Sequence, residues 1–315
     1  GKVNLCIVVC VKTQLIMGYS LSFSSPSWNS VAEALINCVQ DKRIYAAQYN
    51  VDLEEADWPS QHFPEALRVD NGGENSTKMM QQVIESGVGI NVVDYCPPAS
   101  GAKKGTVENL LRVLQDFLPN LTGSVEKGRD AGIQHPSQKA VFQIEDIHRF
   151  IIHAIKIHNT LDSRVRLLTT EMCMDDITPT PSAMWCYLME DEFYGRPKIS
   201  QKRIPELINV LMPRAKATVS RNEVKLNGLG YYSSWAEKKG WFLKAAEQRF
   251  PIELILLGGL VDIAYYKDES GELQQFELKK EYEQYRGMTE HQVKFRQAEI
   301  KEQEAMLNHH KANAR

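Results

Sequence analysis

The chain has 315 residues, of which 43% are hydrophobic and 24% charged, a balance typical of a folded globular protein. No run of about 18 apolar residues occurs, so the sequence contains no candidate for a membrane-spanning helix and we expect no membrane partner. Six cysteines without a CxxC pair favour buried thiols in a reducing compartment over a disulfide framework or a zinc site.

The net charge of −3 hides an uneven distribution of charged residues. Residues 196–249 contain twelve Lys or Arg and four Glu, so this segment carries +8 and the remainder of the chain −11. A basic segment can contact nucleic-acid phosphates even within an acidic chain, and acidic clusters elsewhere can hold a metal or another protein.

The first 95 residues alternate between strand and helix patterns. Two runs rich in β-branched and aromatic residues flank Lys12-Thr13-Gln14 and predict a β-hairpin over residues 3–23. The elements predicted next are a helix over 27–40, a strand ending at Asp70, a helix over 76–85 and a strand over 90–95. This order predicts a layered α/β domain.

The strand that ends at Asp70 runs into Asn71-Gly72-Gly73-Glu74. Asn and Gly tolerate positive φ, so the stretch can be a simple turn. It can also be a strand end that presents a carboxylate to a functional site. The stretch by itself leaves both interpretations open.

A second carboxylate follows a loop rich in proline and glycine. The loop CPPASGAKKG (96–105) cannot form regular structure, and Glu108 lies in the first turn of the helix predicted behind it. Two carboxylates on adjacent elements suit hard divalent cations such as Mg²⁺, although each alone can be an ordinary surface charge. Lys103 and Lys104 would then contact the phosphates of a bound DNA backbone, with Arg112 on the same helix as a further contact.

The remainder of the chain changes from helices to short strands. Helices are predicted over 144–161 and after the prolines of 177–189, and from about residue 206 the pattern becomes that of a small, separate all-β unit. Asp268-Glu269-Ser270-Gly271 predicts a hairpin turn, and Thr289 to Gln292 a capping box that opens a charged C-terminal helix. Alternating basic residues of the β unit are either phosphate contacts or a solvated strand face: Arg214, Lys216, Arg221 and Lys225.

These motifs together resemble a known family. The stretches LRVDNGGEN (67–75) and GINVVDYCPPASGAKKGTVENLLRVL (89–114) are similar to the second half of the DDE catalytic core of transposases in the retroviral integrase superfamily. The strands from ATVSRNEVKLNGLGYYSSW (217–235) onward resemble the β-barrel that follows the core in Mu-type and TnsB-like transposases. The resemblance extends from the first hairpin to about residue 285.

The resemblance implies a fold and a domain order. We expect an α/β RNase H-like (integrase-type) core that lacks its first strand, followed by a small all-β barrel and a C-terminal helix. The corresponding boundaries are 1–190 for the N-terminally truncated core, 191–205 for a linker, 206–286 for the Mu-transposase-type barrel and 287–315 for the charged helix or tail.

The resemblance also implies a site and an activity. Asp70 and Glu108 match the second and third metal ligands of the family, which use two Mg²⁺ or Mn²⁺ ions for DNA strand cleavage and strand transfer. Glu74 is either a supporting residue near this site or a solvated charge. The implied partners are transposon-end and target DNA, further copies of the chain on that DNA, and an AAA+ transposition regulator at the C-terminal tail, in the bacterial cytoplasm at the nucleoid.

One departure limits the implied activity. The family's first catalytic aspartate lies on a strand before the hairpin with which this chain begins, and Cys10 occupies a hairpin position that is often a non-catalytic Asp in relatives. Asp41, Asp52 and Asp57 fall in the wrong elements to replace the first ligand. We therefore expect this chain alone to be inactive or nearly so. The alternatives are a catalytically inactive DNA-binding and assembly module and, less well matched to the barrel, a metal-dependent nuclease without strand transfer.

Overall fold

A computed structural model of the protein describes residues 3–22, 28–69, 84–85, 89–95, 143–190, 197–257 and 260–313. Contacts divide the chain into two compact units: the first comprises Gly1–Leu21 and Pro26–Leu211, and the second comprises Met212–Arg315 together with Ser22–Ser25. The first unit contains these elements: β1 (Asn4–Val9), β2 (Ile16–Ser22), α1 (Trp28–Val39), α2 (Lys42–Ala47), β3 (Ala66–Val69), β4 (Val92–Tyr95), α3 (Ile144–Leu161), α4 (Thr170–Met174), α5 (Pro181–Glu190) and α6 (Ile204–Leu211). Short 3₁₀ turns cover Glu55–Asp57, Val165–Leu167 and Gln201–Arg203.

The N-terminal hairpin forms the centre of the first unit. Strands β1 and β2 pair in a two-stranded sheet, as the sequence predicts, and the turn between them is closed by a hydrogen bond from Cys10 N to Leu15 O (2.9 Å). The first six residues of β2 are buried. Helix α3 follows its predicted boundaries and packs its apolar stripe, which includes Ile151 and Ile155, into the same core cluster as β2.

Side chains, rather than a further strand, bind part of the backbone of β2. Asn159 Oδ1 of α3 accepts a hydrogen bond from Ile16 N (3.0 Å), and the indole Nε1 of Trp58 donates to Ile16 O (2.7 Å). Ser60 Oγ donates to the carbonyl oxygen of Met17 (2.8 Å). Buried backbone groups without such partners would carry a large desolvation penalty, so these contacts make β2 an edge strand that can be buried.

A polar cluster joins the hairpin to α2 and α3. The hydroxyl of Tyr19 lies 2.7 Å from Nδ1 of His148, and the ring of Tyr49 stacks on the same imidazole with centroids 4.3 Å apart. Burial lowers the pKa of His148 to about 4, so the imidazole is neutral at neutral pH.

Strands β3 and β4 form a second two-stranded sheet, and they run parallel. Their register pairs Leu67 with Val93 and Val69 with Tyr95. Parallel neighbours require a crossover connection, so the stretch after Val69 is not a hairpin turn between these two strands. A hairpin turn that joins β3 to β4 at Asp70-Asn71-Gly72 is therefore excluded, and the interpretation as a strand end that presents a carboxylate stays a prediction.

Helix α2 is absent from the elements that the sequence predicts, which treat residues 41–65 as a loop. Asp41 caps it, because its carboxylate accepts hydrogen bonds from the backbone N–H groups of Arg43 and Ile44. Lys42, the first residue of α2, is buried and donates from Nζ to the carbonyl oxygens of Asn37 and Gln40 at the end of α1. Tertiary burial thus stabilises a helix too short to show a clear periodic pattern.

Part of the predicted linker over residues 191–205 is hydrogen-bonded to the first unit. Ile199 and Gln61 exchange two hydrogen bonds, from Ile199 N to Gln61 O (2.9 Å) and from Gln61 Nε2 to Ile199 O (3.0 Å). Gln201 Nε2 donates to Val39 O (2.9 Å), and α6 also belongs to this unit. The contacts therefore divide the chain later than residue 206, where the sequence places the start of the barrel.

The second unit is a closed barrel of six strands with the order β10-β7-β6-β5-β8-β9. Its elements are β5 (Arg214–Val219), β6 (Val224–Leu226), β7 (Leu229–Tyr232), α7 (Ser234–Lys238), α8 (Trp241–Glu247), β8 (Phe250–Leu256), β9 (Ile263–Lys267), β10 (Leu273–Leu278), a 3₁₀ segment (Lys280–Tyr285) and α9 (Glu290–Asn313). The barrel predicted after the core is confirmed, but the unit is not all-β, because α7 and α8 interrupt the strands between β7 and β8. Both helices are short, and their packing against the barrel core stabilises them.

Alternating residues of the strands fill the barrel interior. Val219, Tyr231 and Phe276 are almost completely buried, and the hydroxyl of Tyr231 donates to Val261 O (2.7 Å). The predicted turn at Asp268 is confirmed: its carboxylate accepts from the N–H groups of Ser270 and Glu272, and Gly271 adopts a φ of +91°. Glycine is favoured at such a φ because it has no Cβ.

The capping box that opens the C-terminal helix is also confirmed. Thr289 Oγ1 accepts from Gln292 N (3.3 Å), and Gln292 Oε1 accepts from Thr289 N (2.8 Å). Val293, in the first turns of α9, is buried in the barrel core, whereas residues 301–306 are exposed. Among the described residues, no helix has the length and apolar character needed to cross a bilayer.

Candidate functional site

The first candidate site lies where β3 and β4 end side by side. Because the strands are parallel and Val69 pairs with Tyr95, both chain segments leave the sheet at the same edge. Asp70 follows Val69 directly, and the loop 96–105 that leads to Glu108 follows Tyr95. Ligands of open α/β sheets are commonly held at such carboxyl ends of strands.

The residues that would carry catalysis lie outside the part of the chain that the structure describes. These residues are Asp70, Glu74, Lys103, Lys104, Glu108 and Arg112. Their assignments therefore remain predictions. Within the described ranges, no group of three or more His, Cys, Asp or Glu side chains is arranged to hold a metal ion.

Other acidic residues near this edge, or considered as substitutes for a missing ligand, have structural partners. Asp94 of β4 forms a salt bridge with Arg68 of β3 (2.8 Å), its partner in the register. Asp57 forms a salt bridge with Lys156 of α3 (2.7 Å), and Asp41 caps α2. These contacts give Asp41, Asp57 and Asp94 structural roles, and the expectation that Asp41 and Asp57 do not replace a metal ligand stays a prediction.

The second candidate site is the outer face of β6, β5 and β8 in the barrel. Lys225 of β6 lies beside Thr218 of β5, and Lys216 lies beside Glu253 of β8. Directly opposite residues of antiparallel strands point to the same face, and period-two alternation adds Arg214 to that face. All three predicted strand cations are exposed. We call this surface the basic face.

Two cations of the basic face are paired with carboxylates. Arg214 Nη1 lies 3.3 Å from an Oε atom of Glu253, and Lys225 Nζ lies 3.4 Å from Glu223. Lys216 and Arg221, the latter in the turn after β5, form no salt bridge with any described residue. The basic face is therefore positively charged overall. Glu253 and Glu223 nevertheless compete with any bound anion for Arg214 and Lys225.

A groove of about 260 Å³ opens on this face. It is lined by Arg214, Pro251, Ile252, Glu253, Ile255, Tyr266 and Lys267. Lys267 and Glu253 are the two charged lining residues that sequence reasoning did not select. The alternation in PIELILL indicates that Glu253 faces outward, but only the register places it beside Lys216.

Part of the chain matches a known protein family. Residues 1–123 match the family described as TnsB C-terminal domain. The matched stretch contains both acidic motifs, at Asp70 and at Glu108, together with the strands β1 to β4.

The chain is also similar to a particular protein, the transposon Tn7 transposition protein TnsB of Escherichia coli. The two are 27% identical over 332 aligned positions, which cover all of this chain and 44% of that protein. The chain therefore spans less than half the length of the curated relative that it matches. The similarity includes the barrel as well as the α/β unit.

Proposed function

We propose that this chain is part of a DNA transposase that carries out metal-dependent strand cleavage and strand transfer at transposon ends, and that the chain alone, without the first catalytic aspartate, is inactive or nearly so. The observation that carries the proposal is the similarity to a transposition protein over the whole chain, with both acidic motifs inside the stretch that matches the TnsB C-terminal domain. A fold is shared by many activities, so the two carboxylates have to bear the chemical argument.

The arrangement of the strands supports the placement of those carboxylates. Strands β3 and β4 end side by side at Val69 and Tyr95, so Asp70 and the loop before Glu108, which follow them in sequence, would begin at one edge of a parallel pair. The side-chain contacts to Ile16 and Met17 occupy positions along β2, which favours addition of further strands on the β1 side of the hairpin. We infer an RNase H-like core from this arrangement.

Asp70 and Glu108 would hold the metal, because carboxylate oxygens are the donors that Mg²⁺ prefers. A bound pair of Mg²⁺ ions supplies charge stabilisation for the attacking and leaving oxygens of a phosphodiester. Glu108 would also orient the attacking hydroxyl or water, and Lys103 and Lys104 would position the DNA backbone. The barrel would hold DNA through Arg214, Lys216, Arg221 and Lys225, with further copies of the chain on the same DNA and an AAA+ regulator at the end of α9.

The proposal is tested by strand-transfer assays on the protein, including any natural sequence upstream of Gly1. We expect Asp70→Ala and Glu108→Ala each to lower strand transfer by at least about 10³-fold, because each removes a ligand needed in the transition state. Asp94→Ala is the matched control, since its carboxylate lies at the same edge but pairs with Arg68. Its activity should stay within a few-fold of the wild type.

Mn²⁺ titration by calorimetry separates the enzyme from the assembly module. Binding that is lost in both variants but kept in Asp94→Ala supports a metal site at Asp70 and Glu108. If the wild type binds DNA but neither binds Mn²⁺ nor transfers strands, the inactive DNA-binding and assembly module is the correct function. Cleavage without strand transfer would identify a nuclease.

A further inference from the structure

The groove on the basic face brings together residues from three neighbouring strands. Arg214 belongs to β5 and Lys267 to β9, and β8 lies between them in the barrel. Ile255 of β8 pairs with Arg214 on one side and with Tyr265 on the other, and Lys267 lies two residues after Tyr265. Period-two alternation therefore places Arg214 and Lys267 on the same outer surface, on either side of β8.

The dimensions of the groove suit one phosphate group. Neighbouring strands are about 4.8 Å apart, so the backbones of β5 and β9 are separated by roughly 10 Å. Two long basic side chains across that distance can converge on one anion. The floor includes Ile255, which is only 2% exposed, and an apolar floor strengthens the attraction between an anion and the cations around it.

The side chain of Glu253 already occupies part of the groove between Arg214 and Lys267. Its carboxylate lies 3.3 Å from Arg214 Nη1, and it stands opposite Lys216 in the register. Both side chains of the Arg214–Glu253 pair are about half exposed, and such surface pairs contribute little to stability. A phosphate, which accepts two parallel hydrogen bonds from a guanidinium, can replace the carboxylate at small cost.

We propose that the groove between Arg214 and Lys267 binds one phosphate of a DNA backbone, and that Glu253 competes with this phosphate for Arg214. This inference rests on the proposed function, because the proposed function supplies DNA as the partner. Glu253 then limits the affinity of the barrel for DNA of any sequence. The contact is to the backbone and reads no bases, so the effect is independent of sequence.

The experiment measures binding of the whole chain to a fluorescent 30-base-pair duplex of arbitrary sequence over a series of salt concentrations. We expect Glu253→Gln to tighten binding about three- to tenfold, since it removes the competing charge and keeps the shape of the side chain. We expect Lys267→Ala and Arg214→Ala to weaken binding about five- to tenfold and to reduce the slope of log K against log salt by about one.

Matched controls separate a local effect from a change in net charge. Glu277 lies on the outer face of β10 and pairs with Ile263, at the opposite end of β9 from Lys267, so Glu277→Gln makes the same charge change away from the groove. Lys280→Ala removes one positive charge outside the groove and is therefore the control for Lys267→Ala. Both should change the affinity less than twofold, and thermal melting should confirm that every variant is folded.

The outcomes distinguish the groove from the wider proposal. If the wild type binds the duplex and Glu253→Gln and Lys267→Ala bind it equally well, the groove is not a phosphate site, while the proposed function stands. Equal tightening by Glu253→Gln and Glu277→Gln would also overturn the groove, because net charge alone would explain it. If the wild type binds no duplex at low salt, both the groove and the DNA-binding role of the barrel are wrong.

Discussion

The two units of this protein protect the edges of their β-strands in different ways. The barrel closes on itself, so the backbone groups of its six strands find partners on neighbouring strands. In the α/β unit, the backbone of β2 instead forms hydrogen bonds with the side chains of Asn159, Trp58 and Ser60, which lie 143, 42 and 43 positions from their partners in sequence. The stability of β2 thus depends on single side chains, and that of the barrel on many repeated backbone contacts.

This difference can be measured because the five tryptophans are divided between the units. Trp28, Trp58 and Trp185 belong to the α/β unit, and Trp235 and Trp241 to the barrel. Incorporation of 5-fluorotryptophan, with resonances assigned from single Trp→Phe variants, therefore reports the unfolding of each unit separately in ¹⁹F NMR. Each of the following predictions uses this measurement.

The largest effect is expected from Phe276→Ala in the barrel. Phe276 is fully buried, and its removal leaves a cavity that should lower the free energy of unfolding by about 3–5 kcal/mol. The change should appear in the resonances of Trp235 and Trp241. Gln275→Ala on the same strand is the control and should be nearly neutral. If the resonances of Trp28, Trp58 and Trp185 report the same loss of stability, the two units do not unfold separately.

Acid should destabilise the α/β unit through His148. Burial holds the pKa of His148 at about 4 in the folded state, against about 6.5 in the unfolded state. Between these values the unfolded state binds more protons, so stability is full above pH 6.5 and falls as the pH drops to 4, by at most about 3 kcal/mol. The variant His148→Gln keeps a hydrogen-bonding partner for Tyr19 and should show a flatter pH dependence. An unchanged pH profile would contradict the assignment.

Asn159→Ala should destabilise the α/β unit by about 1–3 kcal/mol, because it leaves the buried N–H of Ile16 without its acceptor. Thr160→Ala is a control on the same helix, since the Thr160 hydroxyl donates a hydrogen bond to Lys156 O within that helix (2.8 Å). The unfolding transition that the resonances of Trp28, Trp58 and Trp185 report should move to milder conditions. The transition reported by Trp235 and Trp241 should stay unchanged. A neutral Asn159→Ala would show that another group satisfies Ile16.

Ser60→Ala should have the smallest effect, about 1 kcal/mol, from the lost hydrogen bond to Met17 O. Combined with Asn159→Ala, it gives a double-mutant cycle for the edge of β2. A coupling energy above about 0.5 kcal/mol would show that the side chains act as a unit, and strict additivity would show that they act independently.

Local sequence patterns were sufficient for many elements because the relevant interactions are close in the chain. The 3.6-residue period of α3, the Asx turn at Asp268 and the capping box at Thr289 each involve residues a few positions apart, and each was predicted. Helix α2 was missed because it is only six residues long. It is stabilised by its own buried first residue, Lys42, which donates a hydrogen bond to a carbonyl oxygen near the end of α1. Helices α7 and α8 were missed because they are five and seven residues long, too short to show a clear helical period.

The sequence by itself determined the two acidic motifs, the basic segment, the mixed α/β content and the presence of a β unit, since composition and short spacing carry these features. The tertiary structure decided that β3 and β4 are parallel, that the barrel is closed, and that Arg214, Glu253 and Lys267 share one groove. Strand direction and register depend on pairing between distant segments, and no local pattern encodes which strand becomes the neighbour of another. The predicted phosphate contacts of the barrel were found on an exposed face, but the carboxylate that competes for them became visible only through that pairing.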